Sequence, residues 1–268
     1  MGGVFKKKAK KSLGQNFLKD EKILDDIIKS SELSSNDCVL EIGPGQGALT
    51  ERLVETAKKV VAFELDQELI PGLLAKFKNN DNLEIVHKDI LQVNLGEELK
   101  ERGLEKGEYR VIANIPYYIT SKIARLFLES EYSPKDMIIM VQKEVAHRMA
   151  AEPGKMSLLA VSVQYFAEAE VLFNVSRDAF EPVPNVDSAI IRIHSIRKEF
   201  DADEAKKFFR VVKAGFCARR KTLVNNLSNS LHIDKREVQQ RLEDVGIDAN
   251  TRAQELSIDE WKKLAEIF

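Results

Sequence analysis

The stretch from Cys38 to Ala48 limits what this chain can fold into more than any other. Cys38-Val39-Leu40-Glu41-Ile42 is an apolar run as long as a buried strand, and Gly43-Pro44-Gly45-Gln46-Gly47 follows at once. Helical spacing begins at about Ala48, with Leu49, Leu53 and Val54 on the inner face. Strand, glycine loop and helix in immediate succession let the backbone come close to a ligand, because residues without a Cβ leave room and the helix N-terminus presents unbonded N–H groups. Gly43 to Ala48 also fits the dinucleotide pattern G-x-G-x-x-G/A. That pattern does not separate NAD from other adenosine-containing cofactors, and a tight strand-to-helix turn without a ligand has the same residues.

The alternation continues. Val60-Val61-Ala62-Phe63 reads as a second strand ending on Glu64, about twenty residues past the first glycine, where a carboxylate accepts hydrogen bonds from both hydroxyls of a ribose. The helix after it contains Pro71-Gly72 and must kink or begin late. A third strand over 83–86 leads to Asp89, by itself no more than a surface acid. A fourth, Val111-Ile112-Ala113, leads to Asn114-Ile115-Pro116-Tyr117. Helices are expected over 120–129 and 143–151, with a strand over 137–141 between them. Glu152-Pro153-Gly154 breaks the second helix. Residues 157–167 are apolar enough for helix or strand, and the βαβ alternation selects helix. Strands over 170–175 and 189–194 complete an α/β sheet. Gly43, Glu64, Asp89 and Asn114 thus stand at successive strand ends, the edge where open α/β sheets bind ligands.

The fourth strand end carries the chemistry. Asn114 offers a side-chain carbonyl, Pro116 a backbone carbonyl without a competing N–H, and Tyr117 a flat ring on which a base stacks. Its bland counterpart is a strand-ending turn, since Asn and Pro are common turn formers. Phe180 precedes Pro182 and Pro184 on a stiffened extended segment, which either holds a loop or presents that ring to a ligand.

Net charge is only −2, yet the charges are unevenly spread. Lys6, Lys7, Lys8, Lys10 and Lys11 form a basic arm. Residues 205–233 contain no acid and carry Lys206, Lys207, Arg210, Lys213, Arg219, Arg220 and Lys221. Such runs are solvated faces or polyanion sites, and two on an otherwise acidic chain favour nucleic acid, which lysine and arginine bind by displacing counterions. No apolar run is long enough to span a membrane, and no apolar signal core follows the lysines. The thiols of Cys38 and Cys217 are expected to be reduced, the location cytoplasmic, and the scattered histidines suggest no metal.

From about Lys198 the pattern is helical throughout. Phe208, Val212 and Phe216 share one face and Lys206, Arg210 and Lys213 another; Asp234 with Glu237, and Ser257 with Glu260, look like capping boxes. Two domains are therefore expected, residues 1–197 and 198–268.

Together these residues resemble a family. The glycine loop, Glu64, Asp89 and the fourth-strand motif resemble a class I S-adenosylmethionine-dependent methyltransferase. Asn114-Ile115-Pro116-Tyr117, Gly14-Gln15-Asn16-Phe17-Leu18 and Phe180-x-Pro182-x-Pro184-x-Val186-x-Ser188 are similar to signatures of the ribosomal RNA adenine N6,N6-dimethyltransferases. Phe216-x-x-Arg219-Arg220-Lys221-Thr222-Leu223-x-Asn225-Asn226-Leu227 is closer to the small-subunit branch than to the Erm branch acting on large-subunit RNA.

The resemblance implies a Rossmann-like seven-stranded sheet with the last strand antiparallel, followed by a small all-α domain that binds RNA or the ribosome. It implies S-adenosylmethionine as cofactor, held by Asn16, Leu18, Gly43, Gly45, Glu64 (ribose), Asp89 (adenine) and Asn114. The reaction implied is dimethylation of two adjacent adenines near the 3′ end of small-subunit ribosomal RNA, with a role in subunit biogenesis. Asn114 and Pro116 would grip the target amine, and Tyr117 and Phe180 would sandwich the base. Lys7, Lys8, Lys10, Lys11, Arg210, Arg219, Arg220 and Lys221 would meet RNA. A monomer acting on the small subunit or its RNA is expected. Asn185 and Ala218 stand where the family often has Lys and Gln, which weakens a phosphate contact and leaves the transfer chemistry alone. Erm-type methylation of large-subunit RNA, or a non-catalytic assembly role, remain alternatives. An NAD-dependent oxidoreductase explains neither the basic helices nor residues 114–117.

Overall fold

A computed structural model describes residues 10, 14–197, 199 and 201–268. The chain forms two compact units: one runs through Ala146 and takes in Ala167–Lys198, the other joins His147–Phe166 to Glu199–Phe268.

Among the described residues the first unit has nine strands: β1 (Phe17–Leu18), β2 (Cys38–Ile42), β3 (Lys59–Glu64), β4 (Leu83–His87), β5 (Tyr109–Asn114), β6 (Asp136–Gln142), β7 (Glu168–Val175), β8 (Phe180–Glu181) and β9 (Ser188–His194). Seven form one sheet in the order β4-β3-β2-β5-β6-β9-β7, while β1 and β8 pair separately. Strands β2 to β6 run parallel, and β9 is antiparallel to both β6 and β7. Val39, Leu40, Val60, Val61, Val111 and Ile112 are all fully buried, as expected of parallel strands covered on both faces. The register, Ile42 opposite Phe63 and Glu64 opposite His87, sets the carboxyl ends side by side.

Helix α1 (Glu21–Ser31) begins at Asp20, whose carboxylate accepts from the N–H groups of Lys22 and Ile23. Its Leu24 and Ile27 pack with Leu49 and Leu53 of α2 (Ala48–Thr56) over Val39, Val60, Ile112 and Ile138. Each such side chain contributes about 1.5–3 kcal/mol by leaving water. Helix α3 (Ile70–Lys76) begins late, with its proline in the first turn. Helix α4 (Leu95–Glu101) has no counterpart in the sequence expectation. It opens on Asn94, whose side chain accepts from the Glu97 N–H. Helices α5 (Thr120–Leu128), α6 (Lys143–Met149) and α7 (Leu158–Gln164) lie where helices were expected.

The second unit carries α8 (Ala202–Gly215), α9 (Leu223–Leu231), α10 (Lys235–Asp244) and α11 (Ile258–Ile267). A single division near residue 198 does not describe it, because residues 147–166 belong to it as well. Aromatic packing is the reason: Tyr165 stacks on Phe208 with ring centroids 4.1 Å apart and meets Phe209 edge-on at 5.3 Å. The N–H groups of Gly154 and Met156 also donate to the Gln254 carbonyl, at 2.8 and 3.1 Å. The capping box of Ser257 and Glu260 forms. At α10 only half of one does: Asp234 accepts from the Arg236 N–H while Glu237 pairs with Arg241 instead. Among the described residues no helix is long and apolar enough to cross a membrane.

Candidate active site

The carboxyl ends of β2, β3, β4 and β5 open on one cavity of about 1410 Å³. The glycine loop, Glu64, Asp89 and residues 114–119 line it, and residues 14–19 run along another wall. Two glycines of the loop are required for different reasons. Gly43 has φ +69°, and a Cβ there would meet nothing within 4 Å, so the space beside it belongs to the cavity. At Gly47, φ +77°, a Cβ would lie 2.6 Å from the Phe77 ring, so that glycine serves helix packing.

Two carboxyl groups are sunk into this wall. Glu64 is 5% exposed; one oxygen accepts from the Gly45 N–H at 3.1 Å and the other from the Asp66 N–H at 2.8 Å. Each oxygen keeps a second lone pair for a ligand hydroxyl. Burial holds its pKa above the usual carboxylate range. Glu41, one residue before the end of β2, is 1% exposed and accepts from the Thr50 hydroxyl at 2.7 Å. Burial pushes it up to about 8, with the nearby Glu64 charge adding to the rise. Glu41 was not among the expected site residues. Its signals are an acid inside an apolar strand and its place at the head of the run Glu41-x-Gly43-x-Gly45-x-Gly47.

Asp89 reaches the cavity half-buried, with Oδ1 accepting from the Leu91 N–H at 3.0 Å and Oδ2 from the Gln92 side chain at 2.7 Å. Asn114 ends β5, and its Nδ2 donates a long hydrogen bond, 3.4 Å, to the carbonyl of Asn16. That engagement makes Oδ1 the amide atom left to accept. The Pro116 carbonyl accepts from the Ile119 N–H at 3.1 Å, which closes the 3₁₀ turn Tyr117–Ile119 and uses one of its two lone pairs. Tyr117 is half-buried, its hydroxyl 2.7 Å from Ser188 Oγ at the start of β9.

Phe180 is not brought to the cavity wall. It lies opposite Leu18 in the β1–β8 pair, is 3% exposed and belongs to the apolar core, so the expected sandwich of Tyr117 and Phe180 is not present. The pairing of two such short strands left no periodicity to read. Leu18 and Asn16 do line the cavity. So does Tyr118, which is 58% exposed and had not been singled out.

Residues 6–268 match the family model described as ribosomal RNA adenine dimethylase. The chain belongs to that family. It is 44% identical over 264 residues to the ribosomal RNA small subunit methyltransferase A of Bacillus licheniformis, covering 96% of this chain and 90% of the other. The protein of the same name from Bacillus pumilus is 42% identical over 266 residues, 97% and 91% of the two chains. A crystal structure of a dimethyladenosine transferase from Plasmodium falciparum superposes with TM-score 0.77 at 27% identity, covering 94% and 97% of the chains. That of the 23S rRNA methyltransferase ErmE gives 0.74 at 29%, covering 94% and 98%. The seven-stranded sheet with its antiparallel member and the helices after it are therefore the α/β methyltransferase fold of this adenine dimethylase family.

The basic residues expected to meet RNA divide into three groups in this dimethylase. Arg219, Arg220 and Lys221 are exposed on the loop between α8 and α9. Buried Asn226 holds that loop by donating to the carbonyls of Gly215 and Ala218, at 2.6 and 3.1 Å. Two others have partners within the chain. Arg210 donates to the Phe268 carbonyl, and Lys10 is 2.8 Å from Asp66 Oδ1 and 3.0 Å from Glu68 Oε1. Those ion pairs correct the view of Lys10 as a free RNA ligand. Lys7, Lys8 and Lys11 lie outside the described residues.

Proposed function

We propose that this protein uses S-adenosylmethionine to dimethylate the N6 amine of adenines in small-subunit ribosomal RNA. The observation that carries the reading is the amide of Asn114, tied through Nδ2 to Asn16 at the cavity wall with its oxygen left to accept.

The residues present fit the cofactor. Open space beside Gly43 admits its methionine part, the remaining lone pairs of Glu64 suit two ribose hydroxyls, and Asp89 lines the cavity with a further lone pair on each oxygen for an adenine amine. When bound, the cofactor supplies a methyl group made electrophilic by a positively charged sulfur.

The chain's own residues prepare the amine. Its nitrogen is a poor nucleophile while its lone pair is delocalised into the purine. Hydrogen bonds from that amine to Asn114 Oδ1 and to the second lone pair of the Pro116 carbonyl favour a localised lone pair, and they fix where the nitrogen sits. The alkylated amine is acidic enough to release its proton to solvent, so no strong base is required. A target adenine must leave its stack, and aromatic area at the cavity mouth offsets that cost by about 1–3 kcal/mol per base. Tyr117 and Tyr118, rather than Phe180 as it is packed here, line the cavity for that purpose.

The exposed cations Arg219, Arg220 and Lys221 suit the phosphate backbone. The name shared by relatives at 42% and 44% identity supports small-subunit RNA as the substrate. Likeness to ErmE, at 29% identity, keeps large-subunit RNA as the second reading. Mass spectrometry of nucleosides from both RNAs after incubation with the protein separates the two. Dimethyladenosine in small-subunit RNA is the expected result; its appearance only in large-subunit RNA sinks the proposal.

A further inference from the structure

Asp66 lies two residues past the carboxylate proposed to hold the ribose and is only 4% exposed, yet nothing in the proposed chemistry uses it. Its polar atoms join segments distant in sequence. Oδ2 accepts from Gln15 Nε2 at 3.1 Å, and Oδ1 from Lys10 Nζ at 2.8 Å and the Glu68 N–H at 3.0 Å. Its own N–H donates to Glu64 Oε1 at 2.8 Å. Gln15 closes the arrangement from the other side, its Oε1 accepting from the Lys10 N–H at 2.9 Å.

Residues 15–17 then cross the cavity wall. Asn16 Nδ2 donates to the Gly14 carbonyl at 3.3 Å, and the Phe17 ring lies 3.1 Å from where a Cβ of Gly45 would stand. The Asn16 carbonyl receives the Asn114 amide. One buried carboxylate therefore joins β3, with its ribose-side acid, to the amide at the end of β5, although β2 lies between those strands.

We propose that Asp66 is a positioning residue for methyl transfer: by holding Gln15 it sets residues 15–17 across the cofactor cavity, and through the Asn16 carbonyl it aims the oxygen of Asn114. The inference rests on the methyltransferase reading above but makes a separate claim. The ion pair with Lys10 belongs to the same device, so the end of the basic arm is tied to the cofactor side of the molecule.

The test is a double-mutant cycle in the full chain with Gln15→Ala, Asp66→Ala and both together. Two quantities are read: affinity for S-adenosylmethionine by calorimetry, and the single-turnover transfer rate on small-subunit RNA with both substrates saturating. Each single change is expected to lower both by about ten-fold, the loss of one charge-assisted hydrogen bond. The double variant should be no worse than the poorer single one, because both act through one link. A role in stability alone would lower the melting temperature and leave the saturating rate unchanged. Unchanged affinity and rate in Asp66→Ala, or losses that simply add, overturn the proposal. Should Asp66→Ala fail to fold, Asp66→Asn takes its place; it keeps one acceptor oxygen and is expected to fall between parent and Gln15→Ala. If small-subunit RNA accepts no methyl from the parent, the rate is read on large-subunit RNA: the substrate reading falls, and the role of Asp66 stands when the same losses in affinity and rate appear there and falls when they do not.

Discussion

Beside the cavity three acids are sunk under the surface, whereas the α8–α9 loop carries its cations in water. Glu41, Glu64 and Asp66 are each 5% exposed or less and are held by a hydroxyl, by backbone N–H groups or by side chains. Arg219, Arg220 and Lys221 are exposed, and only the backbone beneath them is fixed. A small cofactor has few groups, so affinity for it has to come from a few desolvated, oriented hydrogen bonds. A polyanion offers many equivalent phosphates, and affinity for it comes from displaced counterions that need no burial. Changes in the two regions should therefore fail in different ways.

The largest expected effect is at Asn114. Asn114→Ala should slow methyl transfer by about a thousand-fold or more, as removal of a preorganised polar contact does elsewhere, with S-adenosylmethionine still bound. Single-turnover assay and calorimetry check the pair of outcomes, and normal turnover would remove the amide from the mechanism. Next comes Glu64→Gln, which keeps the shape and discards the charge. Affinity for the cofactor should fall about ten-fold or more while the salt dependence of RNA binding is untouched.

The triple change of Arg219, Arg220 and Lys221 to alanine should do the reverse. RNA affinity falls, and the slope of log affinity against log salt flattens by about 2, one phosphate contact being worth roughly 0.7–0.9. Cofactor affinity and melting temperature stay put. A slope equal to that of the parent would return these residues to a solvated face.

Glu41 should leave both binding reactions alone and act on stability. Its folded pKa, raised by burial to about 8, exceeds the ordinary 4.5, so the folded protein binds the extra proton between those values. Stability of the empty protein should accordingly fall as pH rises from about 4.5 to 8, and the loss is complete above the folded pKa. Glu41→Gln should be more stable than the parent at pH 8.5 and lose that advantage by pH 4.5, as read from melting temperatures across the range. Equal curves would mean that Glu41 is ionised at little cost.

The strands were legible because parallel sheets demand unbroken apolar runs, and Gly43, Glu64, Asp89 and Asn114 were legible because the chain leaves the sheet just after such runs. What stayed hidden depends on partners far along the chain. Phe180 reads like an aromatic offered to a ligand until the two-residue pairing with Leu18 takes it into the core. Residues 147–166 read as another turn of the alternation, until the rings of Phe208 and Phe209 and the carbonyl of Gln254 draw them to the helical unit. Asp66 reads as a loop acid because Gln15 and Lys10 are 51 and 56 residues away. Helix α4 does carry a local signal, since Asn94 with Glu97 three residues on is a recognisable helix start.

The two hydrogen bonds from Asn226 have a kinetic consequence. With the carbonyls of Gly215 and Ala218 pinned, the turn bearing Arg219, Arg220 and Lys221 need not be ordered when RNA arrives; only the long side chains surrender rotamers. On the proposed reading, encounter with RNA then meets no loop-ordering cost, so the cations act from a surface already in its bound shape.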